Sequence, residues 1–234
     1  MFDDKIAFII SMYNEFGTVN GTIDAIRKLY GNAIVIVIRS DDKSGNKIHR
    51  ADDHVLLEDL SDKLPTKHHI PSHALSRNYS TGFKLLYEKY PPQEYIVALT
   101  GDTSIQDASG ITDIIRQMLE YYKVAGIAQH IGGNFYTQGN DPDQLVPHGR
   151  IQGEDTTDIM PQLFIVKGSF ANDTKCFQNI EITNNFTSEQ CLGDELQKHF
   201  SAMNAPFHDL VHRYSRSSSC NTEKIKYHKR QQVG

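Results

Sequence analysis

Cysteine is scarce in this chain: Cys176, Cys191 and Cys220 are the only three in 234 residues. They are odd in number and widely spaced, so they offer neither a disulfide framework nor a zinc-ligand spacing. Reduced thiols in a cytoplasmic setting are the simple expectation. Long hydrophobic runs are lacking too. The apolar stretch Ile6-Ala7-Phe8-Ile9-Ile10 is too short for a membrane span or a signal sequence and reads as a buried strand. The Asn-x-Ser/Thr triplets at Asn20, Asn78, Asn172 and Asn185 are then chance matches, because their glycosylation needs a secreted chain. Positive charge is missing from the body. The formal net charge is −5, yet Arg213, Arg216, Lys224, Lys226, Lys229 and Arg230 against Glu223 give residues 211–234 a charge of +5, which leaves −10 on residues 1–210. An acidic body speaks against nucleic-acid binding, where a basic face supplies most of the affinity. The basic tail, residues 216–234, suits weak contact with phosphates or an anionic membrane surface, or simply a solvated terminus. There is no internal repeat and no linker.

What is present is an alternation of apolar runs and helical patterns, the mark of an α/β fold with a mostly parallel sheet flanked by helices. Residues 1–215 read as one domain. Strands are expected at Ile6–Met12, Ala33–Ile38, His54–Leu57, Tyr95–Leu99, Val124–Ala128 and Leu163–Val166. The continuous β-branched run from Ala33 suits a strand buried on both faces. Helices are expected at Val19–Tyr30, with Ile23, Ile26 and Leu29 on one face, and at 73–89, stopped by Pro91-Pro92. The 3.6-residue period predicts a third on Ile111, Ile114, Ile115, Met118 and Leu119, and a last one on Leu192, Leu196, Phe200 and Met203. Gly132 to Met160 is polar and reads as a long functional loop.

Three polar clusters fall where an open α/β sheet places its ligands, at the carboxyl ends of strands. They are Ser11-Met12-Tyr13-Asn14-Glu15, Ser40-Asp41-Asp42-Lys43-Ser44-Gly45-Asn46 and Thr100-Gly101-Asp102. Their chemistry suits a nucleotide. A tyrosine ring stacks on a base, and a carboxylate accepts hydrogen bonds from an imide or from ribose hydroxyls. An aspartate at the mouth of the cleft can hold a divalent metal against a diphosphate that the acidic body would otherwise repel.

In order and spacing, Tyr13-Asn14-Glu15, Asp41-Asp42-x-Ser44, Ser76-Arg77-Asn78 opening a helix, and Asp102 after an apolar strand resemble the family 2 glycosyltransferases of GT-A fold, over about residues 5–215. The resemblance implies a nucleotide-sugar donor, held by Ser11, Tyr13, Glu15, Asp41, Asp42, Arg77 and Arg213. It implies Mn²⁺ or Mg²⁺ on Asp102, with His212 or His208 returning from the C-terminal region. It also implies an inverting transfer to a saccharide, lipid or protein acceptor. Thr100 stands where the family has the first acid of its Asp-x-Asp element, and Asn46 replaces another acid. For the catalytic base the resemblance offers two places. Gly193-Asp194-Glu195 opens the last helical pattern, whereas Gly153-Glu154-Asp155 matches the family's letters but precedes the strand at Leu163. Position favours Asp194 or Glu195.

Each residue also has a plainer reading. Aspartates shape turns, and acids at a helix start answer its dipole. The residues just after the first strand weaken the rival functions. Ser11 to Gly17 lacks the basic Gly-rich loop of a sugar-phosphate nucleotidyltransferase, and it lacks the Gly-x-Gly-x-x-Gly turn of a dinucleotide oxidoreductase. A non-catalytic nucleotide- or carbohydrate-binding module is favoured by Thr100 alone.

Overall fold

Seven consecutive buried residues, Ile6–Met12, form β1, an interior strand of the sheet. The structure is a computed structural model that describes residues 5–12, 19–40, 47–58, 70–101, 103–105, 126–131, 145–146, 158–174, 177, 201–203 and 211–213. β1 pairs in parallel with β2 (Ile34–Arg39) on one side and β4 (Tyr95–Thr100) on the other, and β3 (Asp53–Leu56) extends the parallel set beyond β2. Past β4 the sheet becomes mixed. β8 (Asp158–Lys167) runs antiparallel to both β4 and β6 (Gly126–Ile131). β9 (Ser201–Met203) is parallel to β6, and β7 (Leu145–Val146) closes the far edge. The order is β3-β2-β1-β4-β8-β6-β9-β7, and β5 (Thr103–Ile105) pairs separately with β10 (Val211–Arg213).

Side-chain alternation along the strands builds two cores. Ile6, Phe8, Ile10 and Met12 meet Val19, Ile23 and Ile26 of helix α1 (Val19–Leu29). Ala7 and Ile9 meet Leu75, Tyr79, Phe83 and Leu86 of helix α2 (Ile70–Lys89). α2 can lie this close because residue 82 is glycine: a Cβ there would stand 2.4 Å from Ile9 Cγ2. The α2 core is rich in aromatics. Phe177 packs on Phe83 and Phe164 at centroid separations of 4.9 and 5.1 Å, in a left-handed backbone conformation (φ 64°) that a bulky residue rarely takes. Burial of its ring, worth about 1.5–3 kcal/mol, holds it there. A short helix, α3 (Gly168–Thr174), follows β8, its Gly168 N–H donating to Glu94 O at 2.8 Å.

The sequence places the early elements within a few residues of where they lie; α2 begins at Ile70, a little before the expected start at 73. Three readings need correction. Met203 is not helical: it lies in β9, whose backbone groups pair with Gln129 of β6 and Leu145 of β7. A three-residue strand carries no period of its own, and tertiary pairing overrides the local pattern. The polar stretch from Gly132 is not all loop, since it holds β7 and the start of β8. β8 itself is longer than Leu163–Val166. Consecutive β6 residues Ala128 and Gln129 face Phe164 and Met160, so residues 161–163 bulge, and Pro161, which has no N–H to donate, sits in that bulge. The helical patterns at Ile111–Leu119 and Leu192–Phe200 lie outside the described residues.

Candidate functional site

The carboxyl ends of β1, β2 and β4 are tied into one polar hub. Met12 is in register with Arg39, and Ser11 with Thr100. The Ser11 carbonyl accepts the Gly101 N–H at 2.8 Å, and the Met12 carbonyl accepts the Ser40 N–H at 3.3 Å. Asn78 of α2 completes it, its Nδ2 donating to Ser11 Oγ and to Met12 O, both at 3.1 Å. A carbonyl can only accept, so this contact fixes which way the amide faces. Ser11, Ser40, Asn78 and Thr100 are all buried. Among the described residues, Ser40 Oγ and Asn78 Oδ1 have no hydrogen-bond partner, which is an uncommon condition for buried polar atoms. Arg39, the last residue of β2, is a charged residue that is buried as well.

The three polar clusters of the sequence leave from this hub. Ser11 lies within it. Tyr13 and Glu15 follow Met12, Asp41 and Asp42 follow Ser40, and Asp102 follows Gly101 in the chain, but these five side chains lie outside the described residues. Arg77 is described: its Nη1 donates to Glu58 O at 2.6 Å, just past the carboxyl end of β3, while its neighbour Asn78 turns to β1. His212 and Arg213 are in β10. That strand brings the late chain back to β5, with His212 opposite Ser104 and Arg213 opposite Thr103, the residue after Asp102. β5 in turn lies beside α1. Asp194, Glu195 and His208 fall outside the described residues. Among the described residues no group of three or more His, Cys, Asp or Glu could hold a metal ion, and no helix is long and apolar enough to cross a membrane.

The perturbed titrations lie elsewhere, where β3 begins and α2 ends. Burial pushes the Asp53 carboxyl up, but hydrogen bonds from Lys89 Nζ (2.5 and 2.7 Å) and the Tyr90 hydroxyl, with the lysine's charge, outweigh it and hold Asp53 below the usual carboxylate range. Burial and the Asp53 partner raise the Tyr90 phenol. This cluster locks α2 to β3 on the side away from the hub.

Sequence reading gives a role to Arg77 and none to Asn78 or Arg39. Both carry a signal. Positions 75, 78, 79, 82, 83 and 86 form one buried helical stripe, so Asn78 is a polar residue at a core position. Arg39 is a cation ending the apolar run Ile34-Val35-Ile36-Val37-Ile38.

No protein-family model matches the sequence, and no curated protein matches it. The fold does have counterparts among solved structures. A crystal structure of S. aureus TarS, residues 1–349, superposes with a TM-score of 0.54 at 11% identity, covering 86% of this chain. The same segment of TarS in complex with UDP gives 0.52 at 11% identity. The chain spans 58% of the length of these TarS structures. The likeness is one of fold: a glycosyltransferase-like α/β architecture of the GT-A type, with a sheet that is parallel through β3-β2-β1-β4 and helices on both faces.

Proposed function

We propose that the protein is a metal-assisted glycosyltransferase, moving a sugar from a nucleotide diphosphate donor of UDP or dTDP type to an acceptor hydroxyl with inversion. The observation that carries this reading is the hub: three strand ends and a helix amide bound together at the carboxyl edge, where open α/β sheets take their ligands. The likeness in fold to TarS, which has been crystallised with UDP, supports it, as does the return of β10 to the strand after Asp102.

In this reading Tyr13 stacks on the base, and Asp41 and Asp42 take the imide and ribose donors. Ser11, Glu15 and Arg77 shape the nucleotide cleft, and Arg213 meets phosphate. Asp102, with His212 or His208, would hold Mn²⁺ or Mg²⁺; a carboxylate and an imidazole suit Mn²⁺, and the pairing of β10, which holds His212, with β5, which follows Asp102 in the chain, supports the His212 choice. The metal, when bound, neutralises charge that builds on the departing diphosphate. Asp194 or Glu195 takes the proton of the acceptor hydroxyl as its oxygen attacks the anomeric carbon and the bond to the diphosphate breaks.

Calorimetry with UDP-, dTDP- and purine-nucleotide sugars, with and without Mn²⁺, tests the donor, and release of nucleoside diphosphate tests turnover. Asp102→Ala should abolish metal-dependent donor binding with the melting temperature nearly unchanged; unaltered affinity would remove Asp102 from the metal site. Asp194→Asn or Glu195→Gln should lose about 10²–10⁴ in rate with donor affinity kept. Full activity in both, with Asp155→Asn inactive, would move the base to the Gly153-Glu154-Asp155 segment. Donor binding without turnover in the wild type would make the protein a binding module.

A further inference from the structure

Residues 47–58 lead into and include β3, and they differ from the strands beside them. None of them is buried, whereas β1 and β4 are buried at every position. Their apolar packing is light: Ile48 and Ala51 partly cover the α1 core, and Val55 and Leu57 partly cover the α2 core. Polar contacts hold the segment, and they come from both helices. On the α1 side, Asn20 donates to Lys47 O and accepts the His49 N–H, each at 3.0 Å. Asp24 meets Arg50 Nη1 at 3.0 Å, and Arg27 donates to Arg50 O at 2.9 Å and to Asp52 Oδ2 at 2.7 Å. On the α2 side, Lys89 and the Tyr90 hydroxyl hold Asp53, and Arg77 donates to Glu58 O at 2.6 Å. The adjacent carboxylates Asp52 and Asp53 therefore fasten one segment to helices on opposite faces of the sheet.

Ion pairs that water can reach hold weakly, and both side chains of the Asp24–Arg50 pair are mostly exposed. Arg50 is also bent into the left-handed region (φ 60°), a conformation that costs a residue with a side chain and is relieved on release. A segment with few buried apolar contacts opens at less cost than the core does. We propose that residues 47–58 form a strap that opens as one unit while the rest of the sheet stays folded, with Asp52 and Asp53 as its two latches. One hydrogen-bonded ladder joins the latches. The Asp52 N–H donates to Val35 O at 2.8 Å, the Leu57 N–H donates to Arg39 O at 2.6 Å, and β3 pairs with β2 between them. Lifting either end thus strips the other. Opening uncovers the outer edge of β2, whose backbone groups are then free to pair with another strand.

The test is native-state hydrogen exchange on the full chain, read at the His49 and Leu57 amides, one towards each end of the strap, and at the amides of β1. In the wild type the two strap amides should exchange at least about tenfold faster than β1. Asp52→Asn and Asp53→Asn keep the side-chain shape and remove one latch charge each. Each should speed both strap amides by one common factor, about three- to tenfold. Asp52→Asn must therefore act on Leu57, and Asp53→Asn on His49. Ile165→Val thins the core under β8, on the far side of β4 from the strap. It should speed the β1 amides and leave His49 and Leu57 at their wild-type rates. If each latch variant speeds only the nearer amide, the strap is not one unit. If Ile165→Val speeds the strap amides along with β1, the segment opens only when the whole protein unfolds. Either result would overturn the proposal.

Discussion

Exchanging Asn78 for aspartate keeps the shape of a wholly buried side chain and removes its power to donate two hydrogen bonds. In the wild type, Nδ2 donates to Ser11 Oγ and to Met12 O at 3.1 Å each. An ionised carboxylate in the same place would set an oxygen against the Met12 carbonyl with no solvent, since residue 78 is 0% exposed. The folded protein should therefore hold that carboxyl protonated, with its pKa above the unfolded value. The folded state then binds the proton more tightly than the unfolded chain. Stability is fully present below about pH 4 and is lost as pH rises through the folded pKa. Full burial raises a carboxyl by up to ~3–5 units, but the loss accrues only from the unfolded value of about 4 upward, at about 1.4 kcal/mol per pH unit, so at neutral pH it approaches about 4 kcal/mol. That is comparable with the ~5–15 kcal/mol stability of a whole domain. Asn78→Leu is the control. It forfeits two hydrogen bonds of ~1 kcal/mol each, while Met12 O keeps the Ser40 N–H and the Oδ1 that has no partner among the described residues is gone. Its loss should be about 1–2 kcal/mol and independent of pH. Urea denaturation followed by circular dichroism between about pH 5 and pH 8 separates the two. If Asn78→Asp tracks Asn78→Leu at every pH, the carboxylate has found a donor or water, and the description of the amide as sealed under the strand ends is wrong.

Gly82→Ala places a methyl 2.4 Å from Ile9 Cγ2 and 3.3 Å from Ile38 Cγ1; α2 must lift from the sheet, and thermal unfolding should show a loss of about 1–3 kcal/mol, whereas an unchanged melting temperature would mean the helix sits further out. Asp53, whose carboxyl is held below its usual range, contributes stability that is present above the unfolded pKa and lost as pH falls through the folded one. Asp53→Asn should accordingly flatten the acid limb of the stability profile below about pH 4; an unaltered limb would show that the Lys89 and Tyr90 contacts do not discriminate between the charged and neutral forms.

The parallel half of the sheet was legible because both its faces are covered. Ile34 to Ile38 must be apolar at every position, and such a run announces a strand without needing a period. The mixed half was harder to read. β7 has two residues and β9 three, too few to carry a pattern, and they exist because β6 offers a hydrogen-bonding edge to β9 and β9 offers one to β7. β8 was found only where it is apolar; its first residues are separated from the rest by the bulge at Pro161. In the candidate site, the strand-end clusters could be located, since their polarity breaks so sharply from the strands before them. What local reading missed was Asn78. Its role comes from α2 crossing the sheet over Ser11, a contact between residues 67 apart in the chain.

The position of β8 bears on how this chain folds. β3, β2, β1 and β4 pair only with one another up to residue 100, so that parallel half can assemble as soon as it has been synthesised. One side of β4 is then unpaired until Asp158–Lys167 arrives. During that interval the sheet ends in Tyr-Ile-Val-Ala-Leu-Thr, an uncharged edge strand with neither proline nor lysine to discourage pairing with a second copy. Partly synthesised or truncated chains ending before β8 present this edge to one another, and aggregation through β4 is the natural failure of the fold.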